Sequence, residues 1–359
     1  GRLSLWLAPN QDGSLKELEV GTAAKVAEFL RKRSSVLANC TPVSEAYILN
    51  SCSHAYQRQD GFHLDGLFAV NRWAEEVRGA HRLLFESHIQ FDIVTEDRLR
   101  SGIPEEVKLL VIPDQGHLPT DIVSAVKSFA ERGGAVIASG SALAEGDCAK
   151  SMQDLFGVSI GEKHDEPAGP RCEFGPFPVQ TSWWEMNPNA DGRLEELSSL
   201  CYYTRQGKIG SAAVARTHSK GKLIAIAGNV FDSYFTERYP MLRGWLTELL
   251  CLALPYPLVR VQGHPGVSCV ATEREPELIL HLINRTSADS IEAKLWFVDQ
   301  PGETGDIEME LRTDRDPVSV TMLLSGKQLD WQRDSESIGF TVPGVYIHEA
   351  ISIRFHDAG

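Results

Sequence analysis

A short apolar segment that runs into two serines is the first place in the sequence where chemistry could occur. The segment GGAVIASGSALAEG spans residues 133–146 and contains Ser139 and Ser141. Many α/β enzymes hold a nucleophile at such a strand-to-helix turn, usually in the pattern G-x-S-x-G or its cysteine equivalent. Neither serine has glycines on both sides, and the turn holds no cysteine. The pattern therefore favours two structural serines over a nucleophile.

A catalytic serine also needs a base, and His117 is the candidate for that role. It follows PDQG at residues 113–116, beside the end of a neighbouring predicted strand. A base must lie within hydrogen-bond reach of the nucleophile, which the sequence alone does not establish. A polar loop residue is the simpler interpretation. A stand-alone amidotransferase-like or esterase-like hydrolase that uses Ser139 or Ser141 with His117 stays open as an alternative.

Two adjacent tryptophans form the second candidate site. Trp183 and Trp184 lie in TSWWEMNPNADGR, residues 181–193, with Glu185 and Asp191 close by. Large rings in a polar, turn-forming loop cover a core edge, meet a partner subunit or stack on a ligand. Because sugar rings stack on indole faces while their hydroxyls need polar partners, the four residues are the predicted carbohydrate-binding group.

The sequence predicts neither a cofactor nor a metal ion. No G-x-G-x-x-G opens the first strand-to-helix turn, and no phosphate-binding Walker loop occurs. His164, Asp165, Glu166 and Cys172 lack regular ligand spacing, which favours a solvated loop. The seven cysteines have no C-x-x-C spacing and are typical of a reduced, cytoplasmic protein.

Composition excludes several kinds of partner. The net charge is −14 and no long Lys/Arg block occurs, so neither nucleic acid nor an anionic membrane surface is an expected partner. The longest apolar run, residues 245–254, is interrupted by Glu248 and is far shorter than the roughly 20 residues of a membrane-spanning helix.

The elements that must position these residues alternate between helix and strand from residue 18 to about 254. Continuous apolar runs at 91–94, 109–113 and 135–139 are typical of strands buried on both faces of a parallel sheet. Helical spacing is found at 20–33, 67–88, 119–134 and 238–254, with Thr120 as a predicted N-cap. The alternation predicts a doubly wound, flavodoxin-like α/β layer.

After PYP at residues 255–257 the pattern changes to short strands separated by turn residues. The last hundred or so residues therefore predict an antiparallel β-sandwich. The expected organisation is a linker at 1–17, the α/β domain at 18–257 and the sandwich at 258–359. A carbohydrate-binding module in the sandwich, with Trp296 or Trp331, is a further alternative.

Several of these segments resemble a known family. Residues 45–143, with EAYILNS, FDIVTEDRL and KLLVIPDQGHLPTDIVSAVKSFAERGGAVIASGSAL, resemble the trimerisation domain of family-42 β-galactosidases. That domain is flavodoxin-like and similar to class I glutamine amidotransferases, without their catalytic machinery. The segments LWLAPNQDGSLKELEVGTAAKVAEFL, ELILHLINRT and IGFTVPGVYIHEAISIRF look like the post-barrel segment and C-terminal sandwich of hypothetical glycosyl hydrolases related to that family.

The resemblance implies a non-catalytic role for this chain. In such glycosidases the two catalytic carboxylates lie on a (β/α)₈ barrel of about 250 residues, and the match covers only the region after it. No catalytic position of the family falls on a residue here. The resemblance implies an accessory and oligomerisation region of a glycoside hydrolase that forms a homo-oligomer, expected to be a trimer. The Trp183–Trp184 loop would be presented to a carbohydrate site of a neighbouring subunit.

Overall fold

The computed structural model divides into a nine-stranded sheet flanked by helices and a pair of antiparallel sheets with a core of their own. It describes residues 9–57, 74–164, 166–173, 175–189, 194–237, 239–263, 266–286, 288–292, 295–298 and 300–356, with no description of the side chains of 288–292 and 295–298.

The helices of the described residues lie mostly in the first 253 positions. They are α1 (Glu17–Leu37), α2 (Cys52–Gln57), α3 (Glu75–Glu86), α4 (Glu96–Arg100), α5 (Thr120–Glu131), α6 (Ser141–Ala144), α7 (Ala149–Phe156), α8 (Val230–Glu237) and α9 (Pro240–Ala253).

The strands begin soon after α1 and continue to residue 355. Those before α8 are β1 (Thr41–Pro42), β2 (Ala46–Leu49), β3 (Phe91–Val94), β4 (Leu109–Ile112), β5 (Ala135–Ser139), β6 (Val158–His164), β7 (Ala168–Cys172), β8 (Gly175–Pro176), β9 (Trp183–Pro188), β10 (Leu194–Tyr202), β11 (Lys208–His218) and β12 (Gly221–Ile226). Those after α9 are β13 (Val259–Gln262), β14 (Val267–Arg274), β15 (Glu277–Asn284), β16 (Ala288–Glu292), β17 (Leu295–Val298), β18 (Ile307–Arg312), β19 (Pro317–Met322), β20 (Trp331–Asp334), β21 (Ser337–Val342) and β22 (His348–Phe355).

The large sheet is parallel on one side and antiparallel on the other. Its order is β3-β2-β4-β5-β12-β11-β10-β7-β8, and the pairs from β3 to β12 are parallel. Every residue of β4 and β5 is buried, as their continuous apolar runs indicate. The expectation of a parallel sheet does not extend to β11, which is antiparallel to β12. The reason is the tight turn at 219–220, which leaves no room for a crossover helix.

The helices that cover the sheet match the predicted periodicity with small shifts. Helix α5 buries Ile122, Val126 and Phe129 on one face. Thr120 is its first helical residue, not the predicted N-cap, because the extended backbone of Pro119 already sets the start of the helix. Within the described chain, no helix combines the length and the apolar character needed to cross a membrane.

The C-terminal sheet pair encloses a separate core. One sheet has the order β1-β14-β15-β22-β19 and the other the order β13-β18-β21-β20. Leu280 and Ile351 of the first sheet meet Met309 and Phe340 of the second in this core. Strands β16 and β17 pair antiparallel in a separate two-stranded sheet.

Helix α1 packs on the outer face of the five-stranded sheet. Arg33 Nε donates a hydrogen bond to His348 Nδ1 at 3.1 Å. His348 Nε2 lies 3.3 Å from His281 Nδ1, and His281 Nε2 lies 3.1 Å from Thr272 Oγ1. Burial lowers the pKa of both histidines, to about 4 for His281. This outer face is therefore covered, and its polar groups satisfy one another.

Polar contacts join the large sheet to the sheet pair. Glu45 accepts the backbone N–H of Leu258 at 2.8 Å, and burial raises the pKa of its carboxyl group. Gln90 accepts the backbone N–H of Ala271 at 2.6 Å. These side chains pair main-chain groups at the junction that would otherwise be buried without a partner.

Candidate functional site

Buried polar side chains collect at the carboxyl ends of the parallel strands, the edge at which open α/β sheets bind ligands. Asp114 follows β4, Ser139 ends β5 and Ser51 follows β2, and each is at most 3% exposed. We call the group the carboxyl-edge cluster. Its members are Ser51, His54, Glu96, Asp114, Gln115, His117, Ser139, Ser141 and Asn229.

The turn from β5 into α6 has the strained geometry of a nucleophile elbow, but the strained residue is a glycine. Gly140 has φ 48° and ψ −117°, a conformation that L side chains rarely adopt. A Cβ atom at this position would lie 1.9 Å from Asn229 Oδ1 and 2.8 Å from the Asn229 backbone nitrogen. The position that would carry a nucleophile therefore has no side chain and no space for one.

Ser139 is a structural residue in this geometry. Its Oγ is fully buried and donates a hydrogen bond to Asp114 Oδ1 at 2.5 Å. It also accepts the Asp114 backbone N–H at 3.0 Å. Asp114 Oδ2 accepts the backbone N–H groups of Phe231 and Asp232, each at 3.0 Å, at the start of α8. The pair thus ties β4 and β5 to a helix N-terminus.

Asp114 has unusual backbone and proton-binding properties. Its φ of 48° lies in the left-handed region, which aspartate and asparagine tolerate better than most residues. Complete burial raises the pKa of its carboxyl group to about 8, against the opposing effect of the hydrogen bonds from Ser139 and Asp232. In the protonated form, which is favoured up to neutral pH, the carboxyl group donates its proton to Ser139 Oγ, so that the contact between Ser139 and Asp114 is kept with its direction reversed.

In the part of the chain that the structure describes, neither Ser139 nor Ser141 contacts a histidine. The Ser141 backbone N–H and Oγ both donate to Asn229 Oδ1, at 2.9 and 3.2 Å. His117 is half-buried and stacks on His54, with 5.7 Å between ring centroids. The serine–histidine contact that the hydrolase alternative requires is absent from this arrangement.

Ser51 and Glu96 belong to the cluster although their positions in the sequence did not predict it. Ser51 Oγ accepts the His54 backbone N–H at 3.0 Å, which makes Ser51 the N-cap of α2. Glu96 accepts a hydrogen bond from Ser51 Oγ at 2.6 Å and another from the Ser53 backbone N–H at 3.1 Å. Burial opposes ionisation of Glu96, but these hydrogen bonds outweigh it and hold its pKa below the usual value. The sequence signal that could have identified Ser51 is a serine placed directly between a strand and a helix.

The predicted carbohydrate-binding loop requires a correction. Trp183 and Trp184 lie in strand β9, and their exposed fractions are 0% and 5%. The indole of Trp183 packs on Gly228, where a Cβ atom would lie 2.5 Å from the ring. Both rings are covered by protein because β9 packs against the end of β12. Glu185 is half-buried beside them and Asp191 lies outside the described residues.

The remaining candidates show structural contacts. Glu166 pairs with Arg205 at 3.1 Å, Cys172 Sγ donates to the Gly175 carbonyl, and Asp165 lies outside the described residues. In the described ranges, no group of three or more His, Cys, Asp or Glu residues could hold a metal ion. All seven cysteines are unpaired.

Comparisons with known proteins relate the chain to glycoside hydrolases. No family model matches the sequence. The chain is 23% identical to the β-galactosidase GanA of Bacillus subtilis (strain 168) over 316 residues, which cover 83% of this chain and 43% of GanA.

Solved structures show the same fold over almost the whole chain. α-L-Fucosidase isoenzyme 2 from Paenibacillus thiaminolyticus matches with a TM-score of 0.77 and 18% identity, covering 97% of this chain and 54% of the fucosidase. A catalytic mutant of Gan42B, a GH42 β-galactosidase from G. stearothermophilus, matches with a TM-score of 0.64 and 15% identity, covering 96% and 45%. This chain is thus similar in sequence to a β-galactosidase and in fold to solved glycoside hydrolases, among them a GH42 β-galactosidase, and it spans about half of the length of the relatives it matches.

Proposed function

We propose that this chain is the non-catalytic accessory and oligomerisation region of a cytoplasmic glycoside hydrolase, in which it follows the catalytic domain. The large sheet is its flavodoxin-like trimerisation domain and the C-terminal sheet pair is a β-sandwich. The order of the five parallel strands supports this, because it is 2-1-3-4-5 when they are numbered along the chain, as in flavodoxin-like folds.

The observation that carries the non-catalytic role is Gly140. A nucleophile elbow needs a side chain at the strained turn, and Gly140 has none. The flanking serines use their hydroxyls within the carboxyl-edge cluster, on Asp114 and Asn229. Trp183 and Trp184 have no part in the proposal, because a buried ring face cannot stack on a sugar.

An apolar surface on α9 supports the oligomerisation role. Met241 and Leu252 are 40% and 41% exposed beside a groove of about 430 Å³ that also contains Trp245 and Leu249. Exposed apolar side chains around a groove mark surfaces that another protein covers. A second copy of the chain is the proposed occupant, and a head-to-tail contact gives a closed ring such as a trimer when the rotation between neighbouring copies closes.

The mass of the purified chain in solution tests the assembly. Light scattering after gel filtration at micromolar concentration is expected to give three times the 39.6 kDa of one chain. Leu252→Glu is expected to reduce this mass, since a charge in an apolar contact is costly to bury. Val318→Glu, at another exposed apolar position, is the matched control and should leave the mass unchanged. A monomeric wild-type chain would contradict the proposal.

Activity assays test the non-catalytic role separately. The chain alone is expected to hydrolyse neither nitrophenyl glycosides nor nitrophenyl acetate, and a fluorophosphonate should not label it. Stoichiometric labelling that Ser139→Ala or Ser141→Ala removes would replace the proposal with the hydrolase alternative.

A further inference from the structure

The outer face of the four-stranded sheet in the C-terminal pair forms an open groove of about 650 Å³. Strands β13, β18, β21 and β20 form its floor, and residues 327–330 form a wall beside β20. Along β18 and β21 the side chains alternate, so that Met309 and Phe340 face the core while Glu308 and Thr341 are exposed. We call this surface the outer groove.

Within the part of the chain that the structure describes, most polar side chains of the outer groove have no protein partner. Six of them are exposed and, among the described residues, make no side-chain hydrogen bond or ion pair to protein: Gln262, Glu308, Asp330, Gln332, Asp334 and Thr341. Arg260 contributes an ion pair to Glu310 at 3.5 Å. The opposite outer face of the sheet pair is covered by α1 and its polar groups are paired. The groove therefore offers many donors and acceptors to a ligand.

The mixture of groups identifies the chemical class of that ligand. Four carboxylates, those of Glu308, Glu310, Asp330 and Asp334, lie beside the two cations Arg260 and Lys327, so the net negative charge of the groove disfavours an anionic ligand. The carboxylates do not converge into a metal site within the described chain. Amides and carboxylates together can donate to and accept from neighbouring hydroxyl groups. An uncharged molecule rich in hydroxyl groups satisfies this set best.

Gly339 gives the groove a flat floor. It lies in β21, and a Cβ atom there would meet only the Met309 carbonyl oxygen, at 3.9 Å. The absence of a side chain leaves a strip of backbone on which the apolar face of a sugar ring can lie. Because its φ is not left-handed, larger residues fit the backbone at this position.

We propose that the outer groove is a binding site for a neutral oligosaccharide, with Gln332, Asp334 and Glu308 contacting hydroxyl groups and Gly339 supporting a ring. The site stands apart from the carboxyl-edge cluster and does not depend on the oligomeric state proposed above.

Calorimetric titration of the intact chain tests the site directly. The probes are neutral oligosaccharides of two to four units, made of β-linked galactose, glucose or mannose. At least one is expected to bind one site per chain, with a Kd of about 1 mM or tighter. Gln332→Ala and Asp334→Ala should each weaken binding about tenfold, the loss of one hydrogen bond. Asp92→Ala, an exposed strand carboxylate of the large sheet, should leave it unchanged.

Side chains of increasing size at position 339 locate the site. Gly339→Ala should weaken binding and Gly339→Leu should abolish it, while melting curves show whether each variant is folded. Should Gly339→Leu fail to fold, the two alanine variants decide. The proposal is wrong if no probe binds, if only charged sugars bind, or if binding survives in folded variants with a blocked groove.

Discussion

The carboxyl-edge cluster and the outer groove are both rich in polar side chains, but they use them in opposite ways. At the carboxyl edge, hydrogen bonds of Ser139, Asp114 and Asn229 join neighbouring strand ends to one another. Asp114 also accepts a hydrogen bond from the N-terminus of a helix. In the outer groove, Gln332 and Asp334 are exposed and make no protein contact of that kind. The first region uses its polar groups for stability, while the second keeps them available.

Position in a fold does not by itself make a ligand-binding site. The carboxyl edge is where an open α/β sheet usually binds ligands, yet here a glycine occupies the strained turn and its neighbours are committed to structure. Polar groups already hydrogen-bonded within the protein lose those bonds if they bind a ligand, whereas exposed groups without a protein partner are free to bind one. Variants in the two regions should therefore affect different properties.

The largest expected effect is at Gly140. Gly140→Ser should lower the free energy of unfolding by about 3–5 kcal/mol, because its Cβ would collide with Asn229 in a backbone conformation already unfavourable to L residues. Gly102→Ser is the matched control, with φ 97° and no atom near the added Cβ, and should cost about 1 kcal/mol. Urea denaturation of both variants measures the difference. Equal effects would contradict the packing argument at Gly140.

Asp114 comes next. Asp114→Ala should cost about 3 kcal/mol, since it leaves Ser139 and the start of α8 without their partner and places alanine at a positive φ. Asparagine also tolerates that backbone conformation, so Asp114→Asn should lower the free energy of unfolding by less.

The pH dependence of stability separates these two aspartate variants from wild type. The folded pKa of Asp114 is raised to about 8, so the folded state holds a proton that the unfolded state releases above about pH 4. Its contribution is therefore complete below pH 4 and decreases as the pH rises towards 8. Wild type should lose stability relative to Asp114→Asn across that range in urea titrations, and parallel curves would show that this carboxyl group is not perturbed.

The smallest expected effect is in the outer groove. The double variant Gln332→Ala/Asp334→Ala should change the free energy of unfolding by no more than about 0.5 kcal/mol, because neither side chain has a protein partner to lose. Thermal or urea denaturation of the double variant and of wild type measures this change in the free energy of unfolding. A loss as large as that of Asp114→Ala would mean that the groove serves stability, as the carboxyl edge does.

Much of the secondary structure could be predicted locally. The strands at 109–112 and 135–139 and the last long strands match their apolar patterns because burial on one or both faces leaves a direct trace in the sequence. A strand is also present at 91–94, but its predicted burial on both faces is wrong, because β3 lies at the edge of the sheet and exposes Asp92 and Ile93. The tryptophan pair could not be placed in this way. Trp183 is buried because Gly228, 45 positions later in the chain, leaves space for its ring, and no local pattern records that contact.

The position of most strands, the lack of the usual nucleophile motif at the β5 turn and the acidic character of the chain all follow from the amino-acid sequence. Which polar side chains are hydrogen-bonded within the protein and which are available to a ligand depends on the tertiary structure. Asp114 meets Ser139 across 25 residues and the start of α8 across 117. Hydrogen bonds of that range exist only once the sheet has assembled, so residue types and spacing cannot distinguish a satisfied carboxylate such as Asp114 from an available one such as Asp334.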